Sequence, residues 1–213
     1  WYQKMLLDAY DVVEARIVVD WVLEEFTGRT RVHRFAHPED RLSESEILKI
    51  HFAFKRIASG EPVQYVLHKA WFYGRPFYVD PAVLIPRRET EGLVEWCLSV
   101  VQPGWRVLDI GSGSGCVGIT LKLEQPLIDA TLLDVSKAAL SVSSRNGVQL
   151  GAGISLVEAD ILNRDSWSPH PGYNLIVSNP PYVRQSERKL MSGRVLNHRS
   201  EERRVGKECR SRW

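Results

Sequence analysis

Asn179-Pro180-Pro181-Tyr182 combines residue types that can hold an amino group. The four residues follow directly on the apolar run Leu175-Ile176-Val177 and Ser178, so they sit where a buried strand would end. Proline fixes φ and has no N–H, which keeps the neighbouring carbonyls out of a continuing ladder or helix. Those carbonyls and the Asn179 amide can then accept hydrogen bonds, while Tyr182 offers a flat surface. A Pro-Pro pair alone marks a turn after a strand. Flanked by Asn179 and Tyr182, with a glycine-rich stretch upstream, it points to a site that grips an N–H donor.

That upstream stretch, Gly111-Ser112-Gly113-Ser114-Gly115, lies between a strand-like run, Arg106-Val107-Leu108-Asp109-Ile110, and a segment of helical spacing from Cys116 to Leu121. Glycines let backbone approach a ligand closely, and a helix starting there offers unpaired N–H groups. Such a loop is a weak signal alone, and its context strengthens it. A second strand, Ala130-Thr131-Leu132-Leu133, ends on Asp134, 23 residues after Gly111. That is close to the ~20-residue spacing at which a carboxylate holds ribose hydroxyls.

These residues require elements to bring them together. A third strand, Ile154-Ser155-Leu156-Val157-Glu158, ends near Asp160, and a fourth runs from Tyr173 to Ser178. Ser136 caps an intervening helix through Ala138, Leu140 and Val142. The alternation predicts an α/β fold with a parallel, doubly wound sheet, in which ligands bind beyond the carboxyl ends of the strands, beside the first. Gly111, Asp134, Asp160 and Asn179 all fall at such ends.

Upstream, Leu6, Ala9, Val13, Ile17 and Trp21 form the apolar stripe of a helix over 3–26, stopped by Gly28. Ser43 and Glu46 make a capping box for a helix carrying Ile47, Ile50, Phe54 and Ile57. Residues 1–62 therefore read as a small helical domain. Its His33, His37 and His51 lack ligand partners at useful spacing, so no metal is expected. Gln64-Tyr65-Val66-Leu67 and Trp71-Phe72-Tyr73 are β-prone, Gly74-Arg75-Pro76 is a turn and Phe77-Tyr78-Val79 answers it, giving a hairpin linker over 63–85. A helix through Leu93, Val94, Trp96, Cys97 and Val101 then opens the domain of 86–198.

With 44% hydrophobic and 25% charged residues the 213-residue chain reads as soluble and globular. No run approaches 18 apolar residues, so no membrane partner is expected. Cys97, Cys116 and Cys209 are odd in number and far apart, which fits a reducing, cytoplasmic compartment without disulfides. Trp1 is not an initiator methionine, so a trimmed start is expected. Residues 199–213 hold six of the 28 basic and three of the 26 acidic groups, which leaves 22 against 23 in 1–198. This tail has no apolar period and reads as non-native. A body so nearly neutral argues against nucleic acid as partner.

Taken together, Pro62-Val63-Gln64-Tyr65, Phe72-Tyr73-Gly74, Leu84-Ile85-Pro86-Arg87 with Glu89-Thr90-Glu91, the loop of 109–115, Asp134-Val135-Ser136 and Asn179-Pro180-Pro181-Tyr182 resemble the HemK/PrmC family, the peptide chain release factor N5-glutamine methyltransferases. The resemblance spans about residues 1–198. It implies a class I S-adenosylmethionine-dependent methyltransferase, Rossmann-like in its sheet, preceded by the helical domain and hairpin and acting as a monomer. It further implies that Gly111, Ser112, Gly113, Ser114 and Gly115 pass under the methionine and ribose of the cofactor. Asp134 would accept from the ribose hydroxyls, Asp160 and Ile161 would border the adenine, and Asn179 would also touch the cofactor. The substrate implied is the glutamine of a release factor's Gly-Gly-Gln loop. Asn179 and the Pro180 carbonyl would accept from its NH₂ group, with Pro181 beside them and Tyr182 packed on the flat amide.

Two departures accompany the resemblance. Arg88 stands where the family has a second proline. After Val195-Leu196-Asn197-His198 the family continues into three further strands, so the sheet is expected to be truncated after its fourth strand and this chain to be inactive or poorly folded, its parent active. Two other functions fit the same residues: an N6-adenine methyltransferase on DNA or RNA, with Tyr182 stacked on a flipped base, and a cofactor-binding remnant without catalysis.

Overall fold

A computed structural model describes residues 2–7, 10–163, 166 and 172–180. The chain divides into two compact units between His68 and Lys69. The first contains α1 (Tyr2–Leu6), α2 (Val12–Thr27), α3 (Arg31–Ala36), α4 (Glu44–Ala58) and α5 (Val63–Leu67).

The helix expected over 3–26 is two helices, because Asp11 caps α2 by accepting from the Val13 and Glu14 N–H groups, both at 2.8 Å. The buried face also differs from the expected stripe. Leu6 of that stripe is buried as expected, but in α2 it is Ala15, Val18 and Val22 that are buried, whereas Val13, Ile17 and Trp21 are exposed; Ala9 lies outside the described residues. Both rows have helical spacing, and it is the row facing α4 that is covered. α4 has the expected capping box of Ser43 and Glu46 and buries Ile50, Ala53, Phe54 and Ile57, leaving Ile47 exposed. Tyr2 stacks on Phe54 with ring centroids 4.3 Å apart. Residues 63–67 are helical rather than extended: Val63 and Val66 lie one turn apart and join the same core, an example of packing overriding β-propensity.

The second unit opens with an antiparallel hairpin, β1 (Ala70–Phe72) and β2 (Arg75–Phe77). Its two-residue turn places Tyr73 and Gly74 at φ 49° and 71°, as a primed turn requires. A 3-10 turn (Arg88–Thr90) leads into α6 (Glu91–Val100). β3 (Arg106–Ile110), α7 (Cys116–Glu124), β4 (Asp129–Asp134), α8 (Lys137–Leu150), β5 (Ile154–Glu158) and β6 (Leu175–Ser178) follow. The four strands form one parallel sheet in the order β5-β4-β3-β6, with Ile110 level with both Leu133 and Ser178. This is the doubly wound α/β arrangement, with the order reversing between β3 and β6.

Val107, Ala130, Leu132 and Val177 of one sheet face pack with Val94, Cys97, Val117, Ile119 and Leu121 of α6 and α7. A smaller cluster of Leu108, Leu133 and Ala159 lies on the opposite face. Among the described residues no helix is long and apolar enough to cross a membrane.

Candidate active site

At the carboxyl ends of β3 and β6 an open cleft is lined by Leu84, Pro86, Arg87, Thr90, Asp109 and Asn179, together with the start of the glycine loop and α7. It lies at the point where the strand order reverses. Gly111, Ser112 and Ser114 of the expected loop line it, so the structure brings them together with Asn179. Gly111 takes φ +68°, and a Cβ built there would meet nothing within 4 Å, so its open side is free for a ligand to approach. Ser112 Oγ is buried and has no hydrogen-bond partner among the described residues.

The loop is held from three directions. The Gly111 and Ser112 N–H groups donate to the Leu133 carbonyl at 2.8 and 3.2 Å. The Gly113 N–H donates to Asp134 Oδ2 at 2.9 Å, and Asp134 Oδ1 accepts from the Ser136 N–H at 2.9 Å. From α8, Ser143 Oγ donates to the Gly113 carbonyl at 2.8 Å and Asn146 Nδ2 to the Ser114 carbonyl at 2.9 Å. Asn146 is fully buried and also exchanges two bonds with the backbone of Tyr78, at 2.7 and 3.0 Å, fastening the hairpin's exit to the loop. Neither Ser143 nor Asn146 was among the residues expected from sequence. Their one trace is position, on a helix face three residues apart.

Asp109 ends in the sheet interior, 3% exposed, accepting from the Gly118 N–H at 2.9 Å. Burial pushes its carboxyl up to about 7, with the nearby Asp134 charge adding to the effect and the Gly118 bond opposing it. Gly118 is required here, since a Cβ would lie 2.7 Å from Leu132 Cδ1 and 3.1 Å from Asp109 Oδ2. The Cys116 thiol at the cleft is pushed up to about 12 by withdrawal from water, so it is no nucleophile near neutral pH.

Asp134 is 3% exposed and closes the loop from behind rather than lining the cleft. Each of its oxygens accepts one backbone N–H and retains a lone pair. Asp160 is exposed beyond β5, accepting from the Leu162 N–H at 2.9 Å, and Ile161 packs against the Leu108 cluster; neither borders the cleft. Pro180 is exposed directly after Asn179. Pro181 and Tyr182 lie outside the described residues. Asn179 Nδ2 donates to Thr90 Oγ1 at 3.2 Å.

Residues 93–203 match the methyltransferase small domain and residues 1–67 the PrmC N-terminal domain. A tRNA (uracil-54, C5)-methyltransferase structure from Pyrococcus abyssi superposes with a TM-score of 0.44 at 18% identity, over 53% of this chain and 28% of its own. The release factor glutamine methyltransferase of Koribacter versatilis is 38% identical over 183 residues, 85% of this chain and 65% of its own. That of Flavobacterium psychrophilum is 33% identical over 202 residues, 92% of this chain and 70% of its own. The chain thus spans about two thirds of the length of these curated relatives. With both domain models matched in sequence and a parallel sheet that carries the glycine loop and Asn179 to one cleft, the chain belongs to the release factor glutamine methyltransferase family.

Proposed function

We propose that the protein transfers a methyl group from S-adenosylmethionine to the side-chain amide nitrogen (N5) of the glutamine in the Gly-Gly-Gln loop of peptide chain release factors, acting as a monomer in the cytoplasm. The observation that carries this reading is the meeting of the glycine loop with Asn179 at adjacent strand ends in one cleft. Family membership narrows the acceptor to a glutamine amide.

The residues present fit the cofactor. The open side of Gly111 and the buried Ser112 Oγ, without a partner among the described residues, suit a ligand with a polar nucleoside end. Gly111, Ser112 and Ser114 would hold it at the cleft, and Gly113, Gly115 and Asp134 would shape the loop beneath. When bound, S-adenosylmethionine supplies an electrophilic methyl group on a sulfonium centre. The chain's own task is to hold a poor nucleophile, because an amide lone pair is delocalised into its carbonyl. Asn179 Oδ1 and the Pro180 carbonyl accept from the glutamine NH₂ and orient it. Positioning of this kind can supply on the order of 7–11 kcal/mol, and placed acceptors add to it. Tyr182 would cover the amide face, and Asp160 with Ile161, outside the lining of the cleft, would mark the adenine side.

The test is calorimetric titration with S-adenosylmethionine, followed by mass spectrometry of a release factor incubated with both. Micromolar binding that Asp134→Ala abolishes, with one methyl group gained on the Gly-Gly-Gln glutamine, is expected. Binding without methylation would assign a cofactor-binding role alone, and methylation of an adenine-containing oligonucleotide instead would replace the acceptor.

A further inference from the structure

Thr90 stands at the N-cap of α6, where a threonine oxygen ordinarily accepts from a first-turn N–H. It makes no such bond, and its backbone is already helical, at φ −73° and ψ −17°. Its hydroxyl instead accepts from Asn179 Nδ2, 89 residues away, across the cleft that both residues line. Thr90 is 9% exposed, whereas Asn179 is an exposed residue one step past the end of β6. A well-anchored residue thus holds one that has no other side-chain hydrogen bond among the described residues. Among the described residues no donor reaches Asn179 Oδ1.

Thr90 is itself well anchored. Its N–H donates to the Arg87 carbonyl at 3.0 Å, closing the 3-10 turn. The neighbouring Glu91 Oε1 accepts from the Tyr73 N–H at 2.8 Å, which ties the start of α6 to the hairpin turn. The segment that sequence singles out without a task, Arg87 to Glu91, is therefore a brace between hairpin and cleft.

We propose that Thr90 is a positioning residue, whose hydroxyl holds the plane of the Asn179 amide so that Oδ1 is presented to the nitrogen that accepts the methyl group. This rests on the function proposed above. A hydroxyl can answer either end of an amide, so what Thr90 fixes is the plane and its place. An incoming N–H, being a donor, selects the orientation present here, with Nδ2 toward Thr90 and Oδ1 toward the ligand. Without Thr90 the amide turns freely, and the oxygen is correctly placed for only part of the time.

The experiment compares Thr90→Val, which keeps shape and removes the hydroxyl, with Thr90→Ser, which keeps the hydroxyl, in the full chain. Two readouts are taken. In ¹⁵N-labelled protein the Asn179 side-chain NH₂ pair is resolved in the wild type and in Thr90→Ser, and moves toward solvent-exposed values in Thr90→Val. In release-factor methylation kcat falls about tenfold or more in Thr90→Val, with cofactor and release-factor affinity within about twofold, and Thr90→Ser restores most of the rate. If Thr90→Val does not fold, Thr90→Ala carries the same expectations. An unchanged Asn179 NH₂ pair, or a rate equal to wild type, overturns the proposal. A loss in cofactor affinity that matches the loss in rate does so too, because it would show a structural effect on the whole cleft. A wild type that binds cofactor and methylates no release factor overturns the functional reading instead, and the NH₂ signal then still decides whether Thr90 holds Asn179.

Discussion

Asp109 holds its proton to higher pH than an unfolded chain would, because burial raises its pKa from 3.8 to about 7. The folded state therefore binds more protons than the unfolded state between those values. Stability linked to this group is complete below about pH 4 and is lost as pH rises through about 7. Asp109→Asn removes the titration and keeps an acceptor for the Gly118 N–H, so its melting temperature should decline less than the wild type's between pH 4.5 and 7.5. Circular dichroism melts across that range check this, and equal slopes for the two proteins would refute it. Asp109 also shows what sequence cannot convey. Its place at the end of an apolar strand is legible, whereas its proton depends on Gly118, nine residues on, and on Asp134 from the next strand.

At the scale of elements, the glycine loop joins two positions with opposite tasks. At Gly115, φ +77°, a Cβ would come within 2.7 Å of Ile119 Cδ1 and 2.9 Å of Leu132 Cδ2, so this glycine serves packing between loop, helix and strand. Gly111 is equally left-handed yet faces open space in the cleft. Gly115→Ala should therefore destabilise by about 2–4 kcal/mol, from backbone strain together with overpacking. Gly111→Ala should cost about 1–2 kcal/mol while losing cofactor affinity out of proportion. Urea unfolding beside calorimetric titration separates the two; similar stability losses at both positions would refute the distinction. Strand, loop and helix here were readable from periodicity, as were the Ser43 capping box and the Asp134 strand end, because each is a local pattern. Residues 63–67 were not, since burial of Val63 and Val66 decides their form. Nor were Ser143, Asn146 and Thr90, whose partners lie 30 to 89 residues away and leave no spacing to detect.

For the molecule as a whole, the net charge of +2 conceals an uneven distribution. Residues 1–198 carry 22 basic and 23 acidic groups, and the excess lies in 199–213. Affinity for nucleic acid depends on the basic groups that neutralise phosphates and falls steeply with salt. Retention on a duplex-DNA column should thus be weak, vanish near physiological salt, and disappear when 199–213 are removed. Retention that survives the deletion would point to a basic surface on the body and reopen the adenine reading. The sheet itself sets an order of events. β3 meets β4 across 23 residues of chain, pairing Arg106 with Asp129, but meets β6 across 68, pairing Val107 with Leu175. Shorter loops close at lower entropic cost. As the chain emerges during synthesis, the loop and its Asp134 clasp can assemble on a β3–β4 nucleus before Asn179 has been made. The half of the cleft that would hold the methyl donor is then in place first, and the half that would hold the acceptor is laid against it as β6 docks.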